Sequence, residues 1–98
     1  MTLTESQKKH LRGLAHTIKP VVMVGQNGLK DTIFEEVDIA LDAHELIKIK
    51  VSVGDREKRD EIIQEICNRS GGLLVQRVGN IAILFRRNPK RPRVELPR

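Results

Sequence analysis

The stretch VVMVGQNGLK, Val21 to Lys30, sets the architecture. Its four opening residues form a short, β-rich run unbroken by polar residues, which suits a buried strand of a partly parallel sheet. Gly25 and Gly28 then bracket Gln26 and Asn27 in a tight turn. Beyond it Ile33, Phe34, Val37, Ala40 and Leu41 repeat at helical spacing with acidic residues between them. A strand that turns directly into an amphipathic helix is the first half of a crossover. The second half is LIKIKVSV, Leu46 to Val53, whose alternation predicts a strand with one face buried.

Working outward, Thr4 and Gln7 have capping-box spacing, and Leu11, Leu14 and Ala15 follow at helical intervals. A helix is expected from about Thr4 to His16, stopped by Pro20. On the other side Asp55 can cap a helix with core positions Ile62, Ile63, Ile66 and Cys67, ended by Ser70 to Gly72. LLVQRV and IAILF flank Gly79 and Asn80, the pattern of a hairpin with a primed turn. The order α-β-α-β-α-β-β predicts a single compact α/β domain over residues 1–86, a four-stranded mixed sheet packed by helices with right-handed crossovers. Residues 87–98 carry Pro89, Pro92 and Pro97 and are expected to form an extended, solvated basic tail.

At 98 residues, with 39% hydrophobic and 32% charged content, the chain is of globular composition and of a size for one core. No apolar run approaches the roughly 20 residues of a membrane span, and the N-terminus lacks a signal layout. A cytoplasmic address without membrane partners is the default expectation. Cys67, the only cysteine, has no internal partner and reads as a small core residue.

Charge is segregated along the chain. The net charge is +5, and from Arg86 onward Arg86, Arg87, Lys90, Arg91, Arg93 and Arg98 stand against Glu95 alone, so the rest of the chain is neutral. Residues 1–30 carry Lys8, Lys9, Arg12, Lys19 and Lys30 against Glu5. The next fifteen residues hold Asp31, Glu35, Glu36, Asp38, Asp42 and Glu45 with no Lys or Arg. A polarised surface of this kind suits a phosphate-rich partner on one side.

The glycine pair is the chemistry-bearing motif. Gly25 and Gly28 let backbone N–H groups approach a ligand closely, beside a helix N-terminus that favours phosphate oxygens, with Lys30 adding a full charge. The motif is too short for a dinucleotide fingerprint or a P-loop, so no nucleotide cofactor or small-molecule substrate is expected. The GXXG loop of KH domains holds a polynucleotide backbone in this way. Lys8, Arg12 and His16 fall on one line of the first helix, with Lys9 beside them and Lys19 just beyond, so stripe and loop can share a surface; the acidic second helix should then face away. His10, His16, His44 and Cys67 compose no legible catalytic set, and no metal site is expected. With only Phe34 and Phe85, both at core-like positions, an aromatic stacking platform is not expected; contact through phosphates, 2′-hydroxyls and RNA shape is.

In combination, QKKHLRGLAH, KPVVMVGQNGL, HELIKIKV and VGNIAILFRR resemble the CRM domain (chloroplast RNA splicing and ribosome maturation) in its single-domain bacterial, YhbY-like form. The resemblance covers nearly the whole chain. It implies a fold similar to the C-terminal domain of bacterial translation initiation factor three. It also implies non-catalytic RNA binding tied to precursors of the large ribosomal subunit. Carried over by residue, Gly25, Gln26, Asn27 and Gly28 match the RNA-binding loop, and Lys8, Lys9, Arg12 and Lys19 its basic flank. Lys30 and the tail cations Arg86, Arg87, Lys90, Arg91 and Arg93 complete the expected RNA-facing set. The competing expectation is an adapter that docks on an assembly particle through the acidic second helix.

Overall fold

A computed structural model describes residues 1–98. The elements are α1 (Glu5–Ala15), β1 (Pro20–Val24), α2 (Asp31–His44), β2 (Leu46–Val51), α3 (Arg56–Ser70), β3 (Leu73–Val78) and β4 (Ile81–Phe85), in the expected order. Local chemistry explains their ends. Thr4 and Gln7 form a reciprocal capping box at α1, and Asp55 accepts from the Lys58 N–H at 2.8 Å at α3. Gly71 closes α3 at φ 74°. Asp55→Ala is expected to cost about 1 kcal/mol of stability, read as a lower urea midpoint at unchanged slope.

The sheet order is β1-β2-β4-β3. β1 and β2 are parallel across α2, whereas β4 is antiparallel to both β2 and β3. The α3 crossover therefore skips one place, and the hairpin folds β4 back into the gap. Gly79 alone carries the positive φ of that turn, the II′ arrangement.

Two cores lie on opposite faces of the sheet. α2 and α3 cover one, where Val22, Val24, Val37, Leu41, Ile47, Ile49, Ile63, Ile66 and Leu84 pack together. On the other, α1 sets Leu11 and Ala15 against Leu46, Val75, Ile83 and Phe85, with Val94 and Leu96 of the C-terminal segment joining them.

Three expectations change. β1 is an edge strand buried on one face only: Val22 and Val24 enter the α2/α3 core, whereas Val21 is 51% and Met23 65% exposed, because α1 packs over β2 and β3 and leaves that corner bare. Phe34 packs against the α2/α3 core but is only half-buried, at its margin, with the Arg69 guanidinium 3.7 Å from its ring centroid.

The third concerns the tail, which has no helix or strand and keeps most of its side chains exposed but is pinned to the domain. Glu45, fully buried at the end of α2, accepts from the backbone N–H groups of Asn88, Arg93 and Val94 at 2.6, 2.6 and 2.8 Å. It also accepts from Arg87 Nη1, 3.1 Å from each carboxylate oxygen. The segment then returns to α1, where Gln7 Nε2 donates to the Pro97 carbonyl at 3.0 Å. A carboxylate has acceptor sites for all of these donors, and its burial is favourable only because they converge on it.

Candidate nucleic-acid interface

The glycine turn sits at the carboxyl end of β1 and is tightly held. The Gly28 N–H donates to the Gly25 carbonyl at 3.0 Å, and Gln26 Nε2 donates to the Ser52 carbonyl at 3.2 Å. The β2–α3 loop and the hairpin tip meet it there: Ser52 N donates to Val24 O and Val51 N to Asn80 O. Gln26, Asn27 and Lys30 are exposed, and Lys30 is the N-cap of α2 with no side-chain cap bond. The N–H of Gly28 is thus spent inside the turn. What the loop presents is the Asn27 side chain, the Lys30 ammonium and the open end of α2.

The two glycines differ in kind. A Cβ at Gly25 would meet no atom within 4 Å, whereas Gly28 has φ 76°, the left-handed region that L side chains enter at a cost. Gly28→Ala is expected to lose about 1–2 kcal/mol of stability and Gly25→Ala almost none. Thermal unfolding of the two variants separates a structural role at residue 28 from a surface role at residue 25.

Beside the turn the sheet carries a cationic face. β2 alternates, so Ile47, Ile49 and Val51 enter the α2/α3 core while Lys48 and Lys50 stand on the α1 side. Arg12 and His16 of α1 share a cleft of about 280 Å³ with Lys48, Gln76 and Val78. Lys50 pairs in register with Met23, two residues before Gly25, and so lies along β2 between Lys48 of this cleft and the strand end that carries the turn. Lys48 and Lys50 were not singled out in the sequence; the alternation of LIKIKV was the available signal, and only the position of α1 shows which neighbours the lysines acquire.

The remaining expected cations are dispersed. Lys8 is 3.8 Å from Glu5, a pair of little strength at the surface. Lys9 lies on the outer side of α1 near Gly13 and Pro97. Lys19 borders a groove shared with Arg93. Lys90 and Arg91 are exposed on a turn whose N–H groups donate to Asn88 Oδ1.

Arg86 and Arg87 are turned to the protein itself. Arg86 reaches Asp38 at 2.6 Å and Asp42 at 2.9 Å, and Arg87 pairs with Glu45. These contacts pair the C-terminal half of the acidic run, two guanidinium groups against three carboxylates. Asp31, Glu35 and Asp38 stand around Arg69 of α3, on the sheet face opposite α1.

Together these features define a small α/β domain with a helix-covered core on each face of the sheet and, beside α1, a strip of cations that leads toward a glycine turn. The chain belongs to the CRS1/YhbY (CRM) domain family, whose model matches residues 3–86. It is 43% identical over 97 residues to an RNA-binding protein of Haemophilus influenzae, spanning 99% of this chain and 97% of that one. It is 41% identical over 90 residues to a Pseudomonas aeruginosa protein named as a probable RNA-binding protein, covering 92% and 86%. Among solved structures, a Staphylococcus aureus protein studied in solution superimposes with a TM-score of 0.83 at 30% identity, covering 98% of this chain and all of that one.

Proposed function

We propose that this protein binds RNA without catalysing a reaction and acts in the cytoplasm on precursors of the large ribosomal subunit. The observation that carries RNA binding is the strip Arg12–Lys48–Lys50 leading to the Gly25–Gly28 turn, with the names of its relatives in support. Cations spaced along a sheet face meet successive phosphates of a folded backbone, while the turn and the open end of α2 receive one more. Such contacts fix position without reading sequence, so the shape of structured RNA selects the site. Lys90 and Arg91 belong to the contacting set. Arg86 and Arg87 act from within, holding α2 and the tail.

The ribosomal assignment rests on the family resemblance. Crosslinking in cells followed by sequencing of the attached fragments tests it: large-subunit ribosomal RNA is the expected product, and enrichment of messenger or transfer RNA over it overturns the assignment. The adapter reading through α2 is weakened because Asp38, Asp42 and Glu45 are already paired internally.

A further inference from the structure

A second concave surface lies on the other side of α1. It is a groove of about 690 Å³ between α1, the start of β1, the end of α2 and the C-terminal segment. That volume is within the roughly 300–1,000 Å³ of clefts that hold small organic groups. Its walls include Leu14 and Val21, 43% and 51% exposed, aliphatic side chains with no covering element. Lys19 and Arg93 stand on its rim with Glu95.

Two flat rings also line it. The chain has no Trp or Tyr; Phe85 is buried and Phe34 lies under Arg69. Exposed π surface therefore comes from histidine and arginine, and two of the three histidines, His10 and His44, meet in this groove. Imidazole faces are among the surfaces on which unpaired RNA bases stack. The C-terminal wall is not adventitious, since the N–H groups of Arg93 and Val94 are the ones that Glu45 holds.

We propose that this groove takes one unpaired nucleobase, stacked on His10 or His44 against Leu14 and Val21, with the adjoining phosphate on Lys19 and Arg93. The proposal rests on the RNA-binding reading and adds to it the class of RNA: a helix with a bulged or flipped-out nucleotide. A peptide strand is the poorer occupant. β1 opens with Pro20, which has no N–H, and its pairing with β2 shifts register between Pro20 and Val22, so this edge offers no regular ladder. A nucleotide needs only an apolar slot, a flat face and a cation.

The test uses the full chain and two RNA hairpins of identical stem, one fully paired and one with a single bulged nucleotide, with binding read by fluorescence anisotropy. The wild type is expected to favour the bulged hairpin about tenfold, as one stacked base provides. His10→Ala/His44→Ala should abolish that preference while keeping the affinity for the paired hairpin and the unfolding midpoint; Leu14→Ser/Val21→Ser is the second variant, should the first fail to fold. A preference that survives both variants, or an equal loss on both hairpins, overturns the groove while RNA binding stands. Binding of neither hairpin by the wild type overturns both readings. An acidic peptide whose binding is lost in the variants, with the bulge preference intact, gives the groove to a protein partner and likewise overturns the proposal.

Discussion

Glu45→Ala is expected to lower the unfolding free energy by about 3–5 kcal/mol, the range for removing one partner of a buried ion pair. The substitution strands the Arg87 guanidinium and the N–H groups of Asn88, Arg93 and Val94, all of which now converge on one carboxylate. Release of the tail to water relieves part of that loss, but it also uncovers the apolar contacts of Val94 and Leu96 with the α1 core. Residue 45 further sits at φ 63°, where glycine is at ease and other residues are strained. Glu45→Gly should therefore be less damaging than Glu45→Ala by about 1 kcal/mol while releasing the tail equally. Urea unfolding gives the energies, and protease cleavage after Lys90 or Arg93 reports the release. A tail equally resistant in the variants would refute the clamp.

The same carboxylate fixes an acid-sensitive window. Burial by itself pushes the Glu45 pKa up, but the N–H groups of Asn88, Arg93 and Val94 and the charge of Arg87 outweigh it and hold the value below the ordinary 4.5. A carboxylate with a lowered folded pKa contributes stability that is complete above its unfolded value and lost as pH falls through the folded one. The unfolding midpoint of the wild type should thus drop more steeply below pH 4.5 than that of Glu45→Gln. Parallel curves would contradict it.

Reversing the cationic strip, Arg12→Glu/Lys48→Glu/Lys50→Glu, is expected to weaken RNA binding by about a hundredfold or more, since each charged hydrogen bond to phosphate contributes roughly 1.5–3 kcal/mol. The diagnostic is the salt dependence. Loss of three contacts should flatten the slope of log affinity against log salt by about 2–3. Lys48 and Lys50 make no ion pair and lie on the side of β2 away from the α2/α3 core, so the stability cost should come mainly from Arg12→Glu in the last turn of α1, about 1 kcal/mol. Charge reversal of Glu35 and Glu36 is the matched control, expected to leave affinity unchanged or raised. An unchanged salt slope in the triple variant would sink the electrostatic grip.

Part of this was legible in VGQNGLK and its surroundings. The caps at Thr4 and Asp55, the Gly79–Asn80 turn and the periodicities of α2 and β2 are interactions between residues two to four apart, which a sequence displays directly. The glycine turn was visible, but its division of labour was not: Gly28 needs positive φ, Gly25 does not, and the Gly28 N–H is consumed within the turn.

By itself, then, the sequence determined the order of elements, their caps and turns, and the segregation of charge, because each depends on near neighbours. The tertiary structure alone decided the strand order, the side of the sheet on which Lys48 and Lys50 stand, and the folding of the tail. The reason is physical. β3 is at the far edge because β4 inserts between it and β2, a choice made by packing and not by local propensity. The tail reads as solvated because prolines and arginines carry no hydrophobic period, whereas what holds it is a buried carboxylate more than forty residues away in sequence. Three of that carboxylate's donors are main-chain amides, and a main-chain amide has no letter in a sequence.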